Sequence, residues 1–324
     1  MDNEARLIEF LESSFLSSLL EKNTVTDISF NGEAIYYEDN LEGRKKSSID
    51  ISKEKVGEFL RQIANLSEKQ FSYLNPILDV SFAKYRLNAT FLSLTRVDNR
   101  KTYSFCLRIA SDELKLENDR EFFGEERSRQ ILLQALKDKE SIVIGGETSS
   151  GKTELQKYLL CNLKKDSRVV VIDNVEELEL IRHKADIDMT CWLVDPKNEY
   201  TSFPFLIKNS LRNNPDYLIV AESRGEKMMD ALSVVMSGHP LIMTIHSKSL
   251  EAIPYRMGRL GMMKGSKLVF EDLMEDITYH FSYFVQLKKD FRNGKVHRFI
   301  DEIGFLNHTS KKMEILYKRK ERNL

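Results

Sequence analysis

Gly146-Glu147-Thr148-Ser149-Ser150-Gly151-Lys152-Thr153 is the stretch whose residue types and spacing speak most directly of chemistry. It matches G-x-x-x-x-G-K-[ST], a loop whose backbone N–H groups cradle phosphates. In a chain of 324 residues the match arises by chance on the order of one time in a hundred. An apolar run, Ile142-Val143-Ile144, precedes it, and Leu155, Leu159 and Leu163 follow at helical spacing. That arrangement points a helix N-terminus and its amide groups at an anion. Lys152 then reaches the β- and γ-phosphates of a nucleotide, and the Thr153 hydroxyl binds Mg²⁺. The plainer reading is an ordinary strand-to-helix glycine turn, which the flanking pattern disfavours.

Further polar residues end other apolar runs. Tyr217-Leu218-Ile219-Val220-Ala221 ends in Glu222, a carboxylate suited to orienting or deprotonating a water, or to holding a metal ion through water. By itself such a strand end is commonplace; beside a phosphate loop it reads as function. Asp173, Asn174, Glu176 and Glu177 follow Val169–Ile172 and are candidates for polarising water or binding Mg²⁺. An acidic cluster complementing a helix dipole is the alternative, equally weighted for Glu176. His246 follows Leu241–Ile245, where a neutral imidazole can sense a terminal phosphate, although a lone histidine is more often structural. Arg86 and Arg108 lie in β-prone stretches, Tyr85–Ala89 and Cys106–Ala110; from pattern alone they read as a solvated face or ion pairs.

The elements that must position these groups fall into two patterns. Continuous apolar runs at 142–144, 169–172, 217–220 and 241–243 alternate with helical segments. Runs without alternation suit strands buried on both faces of a parallel sheet, and ligands of such sheets sit at the carboxyl ends of the strands. The front portion reads as α+β: an amphipathic helix over Leu7–Leu20, a hairpin across Asn31-Gly32, a helix capped by Ser52, and two extended runs around Asp98-Asn99. The expected domains are 1–112, a charged linker over 113–122, and 123–324. Asn293-Gly294 predicts a late hairpin. Lys311, Lys312, Lys318, Arg319, Lys320 and Arg322 form a basic tail suited to acidic lipid or DNA, with a solvated terminal helix as the plainer reading.

Composition narrows the classes. Lys+Arg 49 against Asp+Glu 50 argues against a whole-chain nucleic-acid footprint, so direct nucleic-acid binding is not expected. Three distant cysteines, Cys106, Cys161 and Cys191, argue against a disulfide framework or a cysteine zinc site and fit a reducing compartment. No apolar run reaches the roughly 18 residues of a membrane span, and Met1-Asp2-Asn3-Glu4 lacks a basic leader. A soluble, intracellular chain is the expectation.

Four ordered motifs together resemble the type II/type IV secretion traffic ATPases, in particular the VirB-type ring branch. The 146–153 loop is similar to that family's Walker A, and Val171-Ile172-Asp173-Asn174-Val175-Glu176-Glu177-Leu178 to its Asp box. The run from Leu211 through Asn214-Pro215-Asp216 to Glu222-Ser223-Arg224-Gly225 resembles its Walker B block. Ser237-Gly238-His239-Pro240 through Thr244-Ile245-His246-Ser247 resembles its His box. Asn75–Asp79, Tyr85-Arg86 and Leu107-Arg108-Ile109 also fit, so the likeness runs from about residue 26 to residue 305. The resemblance implies a RecA-like P-loop domain with a parallel-rich sheet behind a smaller PAS-like α+β domain. It further implies a homohexameric ring, ATP with Mg²⁺, and a cytoplasmic position, peripheral at the membrane face, beside inner-membrane channel proteins of a secretion or conjugation machine. It makes Arg86 and Arg108 phosphate contacts, at a site in the cleft between domains. Ser149 stands where the family usually has Gly, and Asp173-Asn174 where it has Glu-Asp.

The reading is an ATP-hydrolysing traffic ATPase with Glu222 polarising the attacking water and Asp173 in support. A nucleotide-gated scaffold with little hydrolysis, motivated by Ser149 and Asn174, and a RecA-like DNA motor are the alternatives. If Lys152 is the loop's cation for the terminal phosphates, Lys152→Ala abolishes turnover and most nucleotide affinity. Wild-type phosphate release from that variant would remove the phosphate-loop assignment.

Overall fold

A computed structural model of the chain describes residues 3–195, 198–221, 227–264 and 269–320. Its contacts divide it into two units, Met1–Ser111 with Phe291–Val296, and Asp112–Asp290 with His297–Leu324.

The first unit builds a six-stranded sheet from β1 (Val25–Phe30), β2 (Ile35–Asp39), β3 (Gly43–Lys46), β4 (Ile77–Phe82), β5 (Tyr85–Val97) and β6 (Arg100–Ile109), in the order β3-β2-β1-β6-β5-β4. Every pairing in it is antiparallel. Helices α1 (Asn3–Glu12), α2 (Ser17–Leu20) and α3 (Lys53–Leu66) accompany it. Ser52 caps α3 by accepting from the Lys55 amide, and Val56, Phe59, Leu60 and Ile63 of α3 enter the same core as Leu7 and Leu11 of α1. Strand alternation sorts the sheet's residues. Tyr85, Leu87, Phe105 and Leu107 are buried in that core, so Arg86 and Arg108 are left on the opposite, solvated face.

The helix expected over Leu7–Leu20 is interrupted after Glu12. The Ser13 hydroxyl donates to Glu9 O (2.7 Å) and that of Ser14 to Leu11 O (2.6 Å), a local competition that ends helices at serine pairs.

The second unit comprises α4 (Arg120–Phe123), α5 (Glu126–Lys137), β7 (Ile142–Gly146), α6 (Lys152–Cys161), β8 (Arg168–Asp173), β9 (Asp188–Leu193), α7 (Phe203–Leu211), β10 (Tyr217–Val220), α8 (Lys227–Met236), β11 (Leu241–His246), α9 (Ala252–Gly261) and α10 (Phe270–His280). Strands β12 (Tyr283–Arg292), β13 (Lys295–Asn307) and β14 (Lys312–Lys318) follow. The eight-stranded sheet runs β14-β13-β12-β7-β11-β10-β8-β9. From β12 to β9 every pairing is parallel. The four apolar runs become its centre for a visible reason: Ile142, Ile144, Val169, Val171, Ile219 and Ile242 pack into one core, and Val143, Val170, Ile172, Leu218, Val220 and Met243 into another. Each strand is apolar on both faces because each face meets its own layer of helices.

Three expectations change here. Residues 113–122, expected as a linker, belong to the second unit: Leu116, Phe122 and Phe123 are in its core, and Asp119 accepts from the Phe122 amide (2.9 Å). The segment's charge hid its anchoring residues Leu116 and Phe122. Among the described residues the tail forms a strand rather than a helix over Lys312–Lys318, while Arg322 lies outside the described residues. Strand β14 pairs antiparallel with β13 with a register shift between the partners of Tyr317 and Ile315. Tyr317 is buried while Ile315 is exposed, so the segment carries no regular period of two that the sequence could have shown. Strand β9, paired to β8, carried no continuous apolar run; it is anchored by the buried Met189, with Cys191 and Trp192 packed against the cores.

Gly57 sits where α3 meets the sheet, and a Cβ there would lie 2.5 Å from Tyr103 Cε2 and 2.8 Å from Cζ. Alanine gains about 1 kcal/mol of helix propensity, but overpacking a closed contact costs about 1–3 kcal/mol. Gly57→Ala is therefore expected to lower the urea midpoint of the first unit's unfolding; a raised midpoint would show that the Tyr103 ring yields freely.

Candidate functional site

Parallel pairing brings the carboxyl ends of the central strands to one edge of the sheet. In register, His246 of β11 and Leu287 of β12 both stand beside Gly146 of β7, and Val220 of β10 stands beside Ile172 of β8. The phosphate-type loop leaves β7 at this edge and enters α6 at Lys152.

The loop is built around close backbone approach. A Cβ on Gly146 would fall 2.4 Å from Ser150 Oγ and 3.0 Å from Leu287 O. Gly151 has φ +95°, the left-handed region that favours glycine. Lys152 Nζ donates to the carbonyls of Gly146 (3.0 Å) and Glu147 (2.7 Å), so the ammonium lies over the loop it belongs to. The Ser150 hydroxyl is fully buried beneath the loop without a hydrogen-bond partner. Glu147, Thr148 and Ser149 are solvent-exposed. A turn closed to a side chain at Gly146, a cation folded over the loop and an orphaned hydroxyl suit a polyanionic group. Ser149, the departure from glycine, lies at φ +60°, a conformation that costs an L-residue about 1–2 kcal/mol.

The neighbouring strand ends are pinned by side chains that sequence reasoning passed over. Gln156 Nε2, on α6, donates to Val220 O (2.8 Å), and Thr244 Oγ1, on β11, donates to Ala221 O (2.5 Å). These hold the two residues before Glu222, which itself lies outside the described residues, as do Ser223, Arg224 and Gly225 of the same motif. Ser247 N donates to Gly146 O (3.4 Å), and Gln286 Nε2 to Ser247 O (3.3 Å), tying the stretch after His246 to the loop's base. Buried Gln and Thr at a strand's polar end were the available signal; polar residues inside apolar runs read as interruptions until their partners are known.

Asp173 ends β8 at 3% exposure. Its Oδ1 accepts from the amides of Asn174 (2.6 Å) and Val175 (3.1 Å), and its Oδ2 from Leu178 (3.4 Å). Burial pushes its carboxyl above the ordinary range, against the pull of those amides. The carboxylate thus organises the turn that carries Glu176, which is exposed at φ +55°. Asn174 Oδ1 accepts from Lys227 Nζ of α8 (3.1 Å), and that ammonium also lies over the Phe203 ring. A cation therefore serves the position where the resembling motif has its second carboxylate.

Arg86 and Arg108 are cross-strand partners on the exposed face of the first unit. Arg86 Nη2 lies 3.6 Å from Asp79 Oδ2 and Arg108 Nε 3.2 Å from Asp27 Oδ1. Two like charges directly opposite each other disfavour a strand pair, and the flanking carboxylates offset that cost. The basic tail is likewise paired: Lys318 with Glu302 (2.8 Å), Lys320 with Glu125 (3.9 Å). No helix among the described residues is long and apolar enough to cross a membrane.

Comparison with known proteins follows the same lines. A family model described as Type II/IV secretion system protein matches residues 100–279. An uncharacterized protein of Bacillus anthracis is 27% identical over 292 residues, 87% of this chain and 64% of that protein. The type IV secretion system protein VirB11 of Brucella suis is 26% identical over 195 residues, 59% of this chain and 54% of VirB11. The chain spans between half and two thirds of the length of the first curated relatives it matches. Among solved structures, the Yersinia pseudotuberculosis ATPase DotB aligns with a TM-score of 0.68 at 16% identity, over 92% of this chain and 80% of that one. That likeness shows the fold: a RecA-like α/β unit with a parallel-rich sheet, preceded by a smaller α+β unit.

Asp173 generates a test. Asp173→Ala strands backbone amides of the 173–178 turn and is expected to cost about 1–3 kcal/mol in urea unfolding. The pH dependence has a sign. A carboxyl raised by burial binds its proton more tightly in the folded state, so its ionisation subtracts stability as pH climbs from its ordinary value through its raised one. Relative to Asp173→Asn, the wild type should lose stability across that acid window; a difference that is flat or of opposite slope would contradict the burial argument.

Proposed function

The chain belongs to the type II/IV secretion system protein family, and from that premise we propose that it binds ATP on the 146–153 loop and hydrolyses it to drive substrate transfer or machine assembly in a type IV secretion or conjugation system. The observation that carries this reading is the loop itself: a glycine-lined turn at the edge where the parallel strands end, with Lys152 lying over it. Gly146, Glu147, Thr148, Ser149, Ser150 and Gly151 supply amides around the phosphates, and Lys152 turns from its own carbonyls to the terminal ones. Glu222 orients and polarises the attacking water. Asp173 supports it by ordering the adjoining turn, Glu176 stands on that turn, and His246 lies beside Gly146 as a sensor of the terminal phosphate.

The donor set suits Mg²⁺: Thr153 offers a hydroxyl and Glu222 a carboxylate reaching through water, and Mg²⁺ characteristically keeps waters and substrate phosphates in its shell. When bound, the ion neutralises charge developing on the phosphates. Arg86 and Arg108 are proposed to supply further positive charge to the transferring group; their support is that they are cross-strand neighbours on one exposed face. A homohexameric ring at the cytoplasmic face of the membrane, in contact with inner-membrane channel proteins, is part of the same proposal and rests on the motif resemblance.

A nucleotide-gated scaffold is favoured by one observation, the Lys227 ammonium bonded to Asn174, which puts a cation where the family's Asp box carries its second acid. Steady-state phosphate release separates the two readings. Glu222→Gln is expected to keep nucleotide binding and lower turnover by roughly 10²–10⁴-fold. Arg86→Ala and Arg108→Ala are each expected to lower turnover strongly, toward the 10³–10⁵ that a phosphate-directed arginine contributes, with ADP affinity little changed. A wild type that binds nucleotide without measurable phosphate release would decide for the scaffold.

A further inference from the structure

Strand β13 reaches the phosphate loop from two strands away. Arg298 Nε donates to the carbonyl of Ser149 at 2.8 Å, and its Cδ lies 3.8 Å from where a Cβ on Gly151 would stand. Phe122 Cε2 lies 3.2 Å from that same point, and Phe122 is almost fully buried. The loop thus meets a core aromatic ring at Gly151 and the Arg298 guanidinium at the Ser149 carbonyl. The carbonyl that Arg298 engages belongs to the non-glycine residue in left-handed conformation, Ser149 at φ +60°. Serine has no intrinsic reason to stay there, whereas a fixed guanidinium fork imposes the direction of the carbonyl it binds.

Resting on the nucleotide-binding reading, we propose that Arg298 is a positioning residue of the phosphate loop: its bond to the Ser149 carbonyl holds the left-handed turn in the form that receives a nucleotide's phosphates. A glycine at position 149 adopts that turn unaided; this chain has replaced backbone freedom with a side-chain strap from β13. The strap also gives β13 a direct mechanical hold on the loop, so displacement of one is felt by the other.

The test is a double-mutant cycle on the full chain, read by titration with fluorescent methylanthraniloyl-ADP and Mg²⁺. Arg298→Met is expected to weaken binding about tenfold, the scale of one hydrogen bond to a charged group. In a Ser149→Gly background the same substitution should cost less than about threefold, because glycine no longer needs the strap. The Tm of each variant without nucleotide reports folding, and Arg298→Lys, which keeps the charge without the planar fork, should fall between Met and wild type. Normal wild-type binding with unchanged affinity in Arg298→Met would overturn the strap alone. Equal losses in both backgrounds would also overturn it, because they would mark Arg298 as a direct ligand contact. A wild type that does not bind the probe would overturn the nucleotide-binding reading, and the strap with it.

Discussion

Alternate side chains of β7, β8, β10 and β11 are sealed into two separate cores, and everything functional in the second unit depends on that double burial. A strand apolar on both faces finds shelter only between two layers, and helical crossovers that return the chain make its neighbours parallel. Parallel strands end at one edge. Thus the loop after β7, the Asp173 turn after β8, the stretch before Glu222 and His246 meet, although they lie about a hundred residues apart in sequence.

The meeting edge is then stiffened by polar side chains that accept the cost of burial in exchange for hydrogen bonds to strand-end carbonyls. Gln156, Thr244 and Gln286 bond to Val220, Ala221 and Ser247 respectively. Each crosses from one element to another: Gln156 joins the helix α6 to the end of β10, Thr244 joins β11 to the residue after β10, and Gln286 joins β12 to the residue after β11. Such coupling suits a site whose charge changes during a reaction, because a preorganised frame need not rearrange when charge develops.

The first unit solves a different problem with the same alternation. Its sheet is antiparallel and covered by helices on one face, so every second residue of β5 and β6 is solvated. Arg86 and Arg108 occupy adjacent solvated positions, with Asp79 and Asp27 beside them. Exposed pairs of this kind contribute little to stability.

The order and spacing of local signals determined much of this on their own. The 146–153 motif, the Asn31-Gly32 and Asp98-Asn99 turns, the Ser52 cap and the unbroken apolar runs are written in neighbouring residues and obey local sterics, and the structure has hairpins, a cap and parallel strands in those places. What tertiary structure alone decided involves partners distant in the chain. Strand β9 has a single buried residue, Met189, and takes its place beside β8. The tail became a strand because β13 presented an edge to Met313–Tyr317. Residues 113–122 joined the second unit through Leu116 and Phe122. The hold of Arg298 on Ser149 spans 149 residues. No window of sequence contains both ends of such a contact, and a hydrogen bond or packing contact exists only once the fold has brought its two ends within a few ångströms.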